Sequence, residues 1–165
     1  GSRMFRTIAL AGVAAVAVAL SACSVSEVPA PASPGPAPVT ELERPPGTVV
    51  SANSTAKLGT VVIDGLGYTL YRFDGDSARP PAATCTGPCA ETWEPVPASD
   101  PIRADGIDDE SVGTVRRPDG QEQLTVGGWP VYRHVGEAPG ATDGHGADGK
   151  WFAVTPDGDK AAASR

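Results

Sequence analysis

The chain has 165 residues, including 20 glycines, 17 prolines and nine aromatics, and its 13 basic and 20 acidic residues give a formal net charge of −7. This length fits one modest domain with additional chain attached, and the glycine and proline content indicates turn-rich structure rather than a helical bundle. The acidic balance offers no electrostatic footprint for a phosphate backbone, so nucleic acid is excluded as a partner.

Residues 1–22 are predicted to be a signal peptide, of which residues 1–3 precede Met4 and are regarded as a cloning remnant. Arg6 stands before an apolar run from Ile8 to Leu20, which is the charged and then hydrophobic pattern of a secretory signal. The run is too short for a transmembrane helix, which needs about 20 apolar residues. The sequence therefore predicts export from the cytoplasm.

The run ends in Leu20-Ser21-Ala22-Cys23, which resembles a bacterial lipobox. The resemblance implies cleavage before Cys23 and acylation of its thiol with palmitate-like chains, which would anchor the protein to the outer face of the bacterial cell membrane. The alternative is an ordinary secreted protein with a free Cys23 thiol. Lipidation is favoured because it accounts for the odd number of cysteines.

Residues 23–47 are predicted to be the lipidated cysteine followed by a proline-rich, disordered tether. Proline-rich chain extends by about 3.1 Å per residue, so this segment would hold a domain well away from the bilayer. Residues 48–160 contain eight of the nine aromatics and are predicted to form one β-rich domain. Residues 161–165 are predicted to be a disordered tail.

The domain has the alternating apolar pattern of short strands, and turn signals separate its apolar runs. Asp64-Gly65 and Pro118-Asp119-Gly120 fit hairpin turns, whereas Asp100-Pro101 and the segment 85–93 predict short helical turns. The predicted strands cover Thr60 to Ile63, Tyr68 to Phe73, Thr114 to Arg116, Gln123 to Val126, Trp129 to His134 and Trp151 to Val154. The fold class is therefore predicted to be all-β, with one or two short helical turns.

An internal duplication is visible in the domain. Residues 67–73 (GYTLYRF) align with residues 128–134 (GWPVYRH) at an offset of 61 residues. Upstream, residues 59–61 match 113–115, and downstream, residues 93–96 match 151–154. Because two copies are too few for a stacked array, we predict two degenerate tandem β-hairpin repeats packed into one compact domain.

Residues 71–76 (YRFDGD) fit a Y-x-[FWY]-x-x-D pattern. With the two cysteines and the tryptophans around it, this stretch resembles the bacterial secreted-repeat lipoproteins that carry tandem copies of the motif, a family whose function is not established. The resemblance covers residues 58–158. The second copy departs from the motif, with His134 at the aromatic position and Glu137 at the acidic one.

The motif residues admit two interpretations. Tyr71 and Phe73 lie on one face of a predicted strand, and Asp76 lies in the turn beyond it. An architectural role is favoured, in which the acid accepts hydrogen bonds in a turn and a buried tyrosine finds a partner for its hydroxyl. The alternative is an aromatic surface for a ligand or partner, formed by Tyr71, Tyr132, Trp129 and Trp151.

The other two cysteines, Cys85 and Cys89, are predicted to form a disulfide because they lie outside the cytoplasm with a turn between them. The alternative is a copper or redox site, because C-x3-C with a distant histidine is similar to the spacing in copper chaperones of the Sco type. Cu(I) prefers thiolate and imidazole donors, and His134 and His145 are the two histidines available. No cofactor is expected apart from this copper alternative.

The sequence contains no G-x-S-x-G, H-E-x-x-H or P-loop motif, so we expect a protein that is not an enzyme. The favoured function is a binding or envelope-interaction module, monomeric and held to the membrane, with an unidentified partner in the envelope or outside the cell. A weak hydrolase or an inhibitor of an extracellular enzyme is a third class that rests on localisation alone.

Overall fold

A computed structural model of the chain describes residues 47–162. The predicted signal peptide, Cys23 and nearly all of the tether lie outside the described residues, as do residues 163–165. Within the described part, no helix is long and apolar enough to cross a membrane.

The all-β prediction is confirmed. Helical structure within residues 47–162 is limited to the short helix α1 (Pro88–Thr92) and 3-10 turns at Asp109–Ser111 and Ala147–Gly149. The strands are β1 (Thr48–Thr55), β2 (Gly59–Asp64), β3 (Leu70–Phe73), β4 (Ser77–Ala78), β5 (Pro81–Ala82), β6 (Trp93–Pro95), β7 (Ile102–Asp105), β8 (Val112–Arg116), β9 (Glu122–Val126), β10 (Trp129–His134) and β11 (Trp151–Ala153).

Two sequence predictions at the edges of these elements are wrong. The helical turn expected at Asp100-Pro101 does not form. Instead, the backbone N–H of Thr48 donates to the carbonyl of Pro101, which holds this segment against β1. Ala161, expected to begin the disordered tail, is buried, and its N–H donates to the carbonyl of Ala153 at 2.8 Å. Ala161 therefore belongs to the domain.

Each repeat is built on three consecutive strands, β1-β2-β3 in the first and β8-β9-β10 in the second. β1 pairs antiparallel with β2, and β9 pairs antiparallel with both β8 and β10. β7 pairs parallel with β1. Gly59 begins β2 whereas Gly113 lies in β8, so the upstream alignment of these two residues is wrong: it joins a second strand to a first one.

The two repeats meet at the centre of the larger sheet, where β3 pairs antiparallel with β10 and Tyr71 lies opposite Tyr132. The last strand of each repeat then pairs with the other repeat: β6 with β10, and β11 with β3. The central order β11-β3-β10-β6 therefore alternates strands of the two repeats. The predicted packing of two repeats into one domain is confirmed, and it includes an exchange of their last strands.

Both faces of the central sheet are buried. Successive side chains on a strand point to opposite sides, so neighbouring residues of β3 and β10 enter different cores. Leu70 of β3 and Val131 of β10 belong to an aliphatic core on one side. Tyr71 and Tyr132, the neighbouring residues, belong to an aromatic core on the other side. The alternation predicted for these two strands thus serves two cores.

Two backbone segments cross closely at Gly127 and Gly158. Gly127 has a φ of +60°, and a Cβ atom there would collide with the carbonyl oxygen of Asp157 and lie 2.8 Å from the Cα of Gly158. A side chain at Gly127, in the turn between β9 and β10, would push away the last loop of the domain, which contains Asp157 and Gly158.

We expect Gly127→Ala to lower the free energy of unfolding by about 3 kcal/mol, because overpacking costs about 1–3 kcal/mol and left-handed backbone about 1–2 kcal/mol. The matched control is Gly120→Ala, where φ is +89° but a Cβ would meet nothing within 4 Å. Urea denaturation of both variants measures the difference. Equal losses would contradict the close crossing.

Candidate functional site

The tyrosines of the two motif copies are bonded to the acids of the opposite copies. The hydroxyl of Tyr71 donates to Oε1 of Glu137 at 2.7 Å and reaches Oε2 at 2.9 Å. The hydroxyl of Tyr132 donates to Oδ2 of Asp76 at 2.7 Å. Both tyrosines are 0% exposed, so each hydroxyl finds its partner only because the other repeat supplies it.

Each acid also accepts hydrogen bonds from a residue further along its own repeat. Oδ1 of Asp76 accepts hydrogen bonds from the backbone N–H of Thr84 at 2.7 Å and from its hydroxyl at 2.8 Å. Oε2 of Glu137 accepts from the N–H of Gly144 at 2.8 Å, and Nδ1 of His134 lies 3.5 Å from the same oxygen. This is the arrangement that the architectural interpretation of the motif predicts. Glu137 takes the role of the aspartate in the second copy.

Burial sets the protonation of these groups. It raises the pKa of Tyr71 and of Tyr132 well above the usual tyrosine range, and the neighbouring carboxylates Glu137 and Asp76 raise it further. Burial also raises the pKa of Asp76, against the opposing effect of its hydrogen bonds from Tyr132 and Thr84. Both hydroxyls therefore remain protonated donors at neutral pH.

A column of four stacked rings runs between the repeats. His134 stacks on Trp93 with centroids 4.4 Å apart, Trp93 on Trp151 at 4.0 Å, and Trp151 on Phe73 at 4.4 Å. The two rings at the ends of the column each cover a tryptophan of the other repeat. His134 of the second repeat covers Trp93 of the first, and Phe73 of the first repeat covers Trp151 of the second. His134 therefore replaces the motif's aromatic residue in packing as well as in sequence.

The proposed aromatic surface does not exist as a set. Tyr71 packs edge-on against Trp93 at 5.4 Å and Tyr132 edge-on against Trp151 at 5.2 Å, and all four side chains are buried. The alternative interpretation of the motif, an aromatic surface, is therefore wrong for Tyr71, Tyr132 and Trp151. Trp129 is the exception, since it is half-buried and reaches the surface.

Two arginines of the central strands β3 and β10 extend the crossed pattern to two further aromatic rings. The guanidinium of Arg72 lies 3.5 Å from the ring centroid of Trp129, and that of Arg133 lies 3.8 Å from the ring centroid of Tyr68. Nη1 of Arg72 also donates to the carbonyl of Gly158 at 3.0 Å. Each arginine thus covers an aromatic ring of the other repeat, a cation–π contact.

The candidate metal ligands are not brought together. Cys85 and Cys89 are joined in the predicted disulfide, so neither sulfur is a thiolate. Nδ1 of His145 accepts a hydrogen bond from the N–H of Ala153 at 3.1 Å, and burial lowers the pKa of His145, which keeps this nitrogen free to accept. Within residues 47–162, no three His, Cys, Asp or Glu side chains are grouped as a metal would require.

A buried polar network near the disulfide was not anticipated from the sequence. Arg117 is 2% exposed and donates to Oε1 of Gln123 at 2.8 Å and to the carbonyl of Cys85 at 2.6 Å. Nε2 of Gln123 donates to the carbonyl of Val131 at 2.8 Å. The position of Gln123 near the start of the largely apolar strand β9 could have indicated its burial. Arg117 gave no such indication, because an arginine in a turn resembles a surface residue.

A family model described as a secreted repeat of unknown function matches residues 53–97 and again residues 113–155, which together make up more than half of the chain. Each matched range ends just after the last strand of its repeat, so the boundaries agree with the duplication seen in the structure. No curated protein and no solved structure matches the chain.

The crossed pairing predicts a specific pattern of energetic coupling. Tyr71→Phe should lower the free energy of unfolding by about 2 kcal/mol, because a hydrogen bond to a charged group contributes about 1.5–3 kcal/mol. Tyr68→Phe, at a half-buried tyrosine, is the control and should change little. In double-mutant cycles by urea denaturation, Tyr71→Phe should couple more strongly to Glu137→Gln than to Asp76→Asn. Stronger coupling within the first repeat would contradict the crossed pairing.

The raised pKa of Asp76 gives a pH dependence with a definite sign. Its contribution to stability is fully present below the ordinary aspartate pKa of about 3.9 and is lost as the pH rises through the raised folded value. Asp76→Asn should therefore destabilise the domain more at about pH 3 than at about pH 7. Urea denaturation across this range measures the difference, with Asp109→Asn at an exposed carboxylate as control. A pH-independent effect of Asp76→Asn would refute the prediction.

Proposed function

Because the chain belongs to the family of secreted repeats of unknown function, we propose that it is a lipid-anchored, non-catalytic binding module of the bacterial cell envelope. Membership of a secreted family places the protein outside the cytoplasm. The proposed anchor is Cys23, in the lipobox-like sequence, and the proline-rich residues that follow it would serve as the spacer.

One observation supports a binding module over an enzyme: the polar groups of the repeated motif are buried and hydrogen-bonded to one another inside the domain. Asp76 and Glu137 are each 8% exposed, and each is bonded to a buried tyrosine. A general acid or base must reach a substrate within hydrogen-bond distance, which these buried carboxyls are poorly placed to do. The motif therefore builds a scaffold, and the function is proposed to lie on its surface.

The scaffold has the properties that presentation on a tether requires. Strand exchange between the repeats buries two cores, and the disulfide ties Cys85, ahead of α1, to Cys89 within that helix. An oxidised pair suits the extracytoplasmic location. We propose that the domain acts as a monomer toward a partner in the envelope.

The anchor is tested by metabolic labelling with an alkyne analogue of palmitate in cells that express the full chain. The wild type should carry the label and Cys23→Ala should lose it, because the thiol is the proposed attachment point. The matched control is Cys89→Ser, which removes a different cysteine and should leave the label in place. Equal labelling of Cys23→Ala and wild type would contradict the anchor.

The binding role is tested with the mature chain carrying Cys23→Ala, which is free of lipid. It should be retained by isolated cell-envelope fragments and should leave the glycan of these fragments undegraded. Release of soluble glycan fragments would indicate an enzyme instead, and the absence of retention would contradict a binding role.

A further inference from the structure

Comparing equivalent positions of the two repeats shows which features both repeats share and which belong to one repeat. Tyr68 and Trp129 are equivalent positions, and each ring is covered by an arginine of the other repeat. In the second repeat the ring is a tryptophan, and it borders an open groove of about 350 Å³. This groove brings together residues of both repeats and of the last loop.

The groove is built on closely packed backbone. Its lining includes Gly127 and Gly158, where added Cβ atoms would press against neighbouring backbone. The side chains that line it include Trp129, Arg79, Asp157 and Asp159. A second groove of about 420 Å³ shares Arg79, Gly127 and Asp157 with the first and adds the carboxylates of Asp108 and Glu110. Both volumes lie within the range of about 300–1,000 Å³ that is usual for small-ligand sites.

The side chains that line the groove limit the chemical class of ligand that it can bind. Trp129 offers an apolar ring, and the guanidinium and carboxylates are planar groups that hydrogen-bond in pairs to adjacent polar atoms. The guanidinium of Arg72, 3.5 Å from the ring centroid of Trp129, opposes a second cation at this ring, whereas Asp157 and Asp159 oppose an anion. A neutral ligand with an apolar face and many hydroxyls satisfies all of these groups.

We propose that the groove beside Trp129 binds a neutral saccharide chain, with one sugar ring stacked on the tryptophan and its hydroxyls bonded to Arg79, Asp157 and Asp159. The adjoining groove, which shares Arg79 and Asp157, would take the next units, so the ligand is a linear oligosaccharide rather than a single sugar. This inference rests on the proposed function and names the ligand class of that binding module.

Tryptophan fluorescence gives a direct readout of this site. Trp93 and Trp151 are 5% and 3% exposed, whereas Trp129 is half-buried and borders the groove. A saccharide at the groove should therefore change the emission of Trp129. With Trp129→Phe, the ligand-dependent change should disappear. A change that persists in this variant would place the ligand elsewhere and overturn the proposal.

Affinity is measured by titration calorimetry on the mature chain carrying Cys23→Ala. The probes are hexamers of N-acetylglucosamine and of glucose, which are neutral, and the hexamer of glucosamine, which is cationic. At least one neutral hexamer should bind, and Trp129→Ala should weaken it about tenfold. The matched control is Tyr68→Ala at the equivalent position, with no loss of affinity expected. Binding of the glucosamine hexamer alone, or of no hexamer, would overturn the proposal.

A second variant covers the case in which Trp129→Ala fails to fold. Asp157→Asn combined with Asp159→Asn changes two exposed side chains of the groove and should weaken the neutral hexamer without changing the melting temperature. Unchanged affinity in this double variant would count against the site.

Retention by envelope fragments separates the two proposals. If fragments retain the wild type and the Trp129→Ala chain equally while no hexamer binds, the saccharide proposal fails and the binding module stands. If fragments do not retain the wild type and no hexamer binds, both proposals fail.

Discussion

Two hydrogen bonds between buried tyrosines and the acids of the opposite repeat are the constraint on which the domain depends. A buried hydroxyl or carboxylate without a partner is costly, so neither repeat satisfies its own motif when it is folded alone. The same crossing governs the ring column, in which Phe73 and His134 each cover the other repeat's tryptophan. The exchange of β6 and β11 brings these tryptophans into place. The duplication is therefore an obligate pair of complementary halves.

This pairing explains how the motif can repeat without being a binding site. Its tyrosines, acids and aromatic residues join the halves, so a structural role alone accounts for their spacing. A ligand site is then to be sought where the halves differ. Trp129 in place of Tyr68, the buried Arg117–Gln123 network and the disulfide of the first repeat are such differences. Of these, Trp129 reaches the surface beside a groove of suitable chemistry.

Sequence reasoning was most reliable where the signal is local. The alternation in residues 68–73 and 129–134 predicted β3 and β10, because side chains of a strand alternate between its faces. It missed β1 and β7, because residues 51–54 (SANS) have little strand character and β7 is held by parallel pairing with β1. It also missed the short strands β4, β5 and β6, which have two or three residues each. At the site, it anticipated partners for the tyrosine hydroxyl and the acid but not that they would be each other across the repeats. Arg117 was missed because a turn arginine is usually exposed.

The amino-acid sequence by itself determined the all-β class and the duplication, and it favoured the pairing of Cys85 with Cys89 over a copper site, because strand alternation, glycine turns and a short cysteine loop depend on near neighbours. Only the tertiary structure decided which tyrosine meets which acid. Those partners are 66 and 56 residues apart, and strand order, rather than local preference, brings them together. It also decided that Trp151 is buried and Trp129 is not. Burial depends on what packs against a side chain, and the two rings that stack on Trp151, Phe73 and Trp93, come from the other repeat.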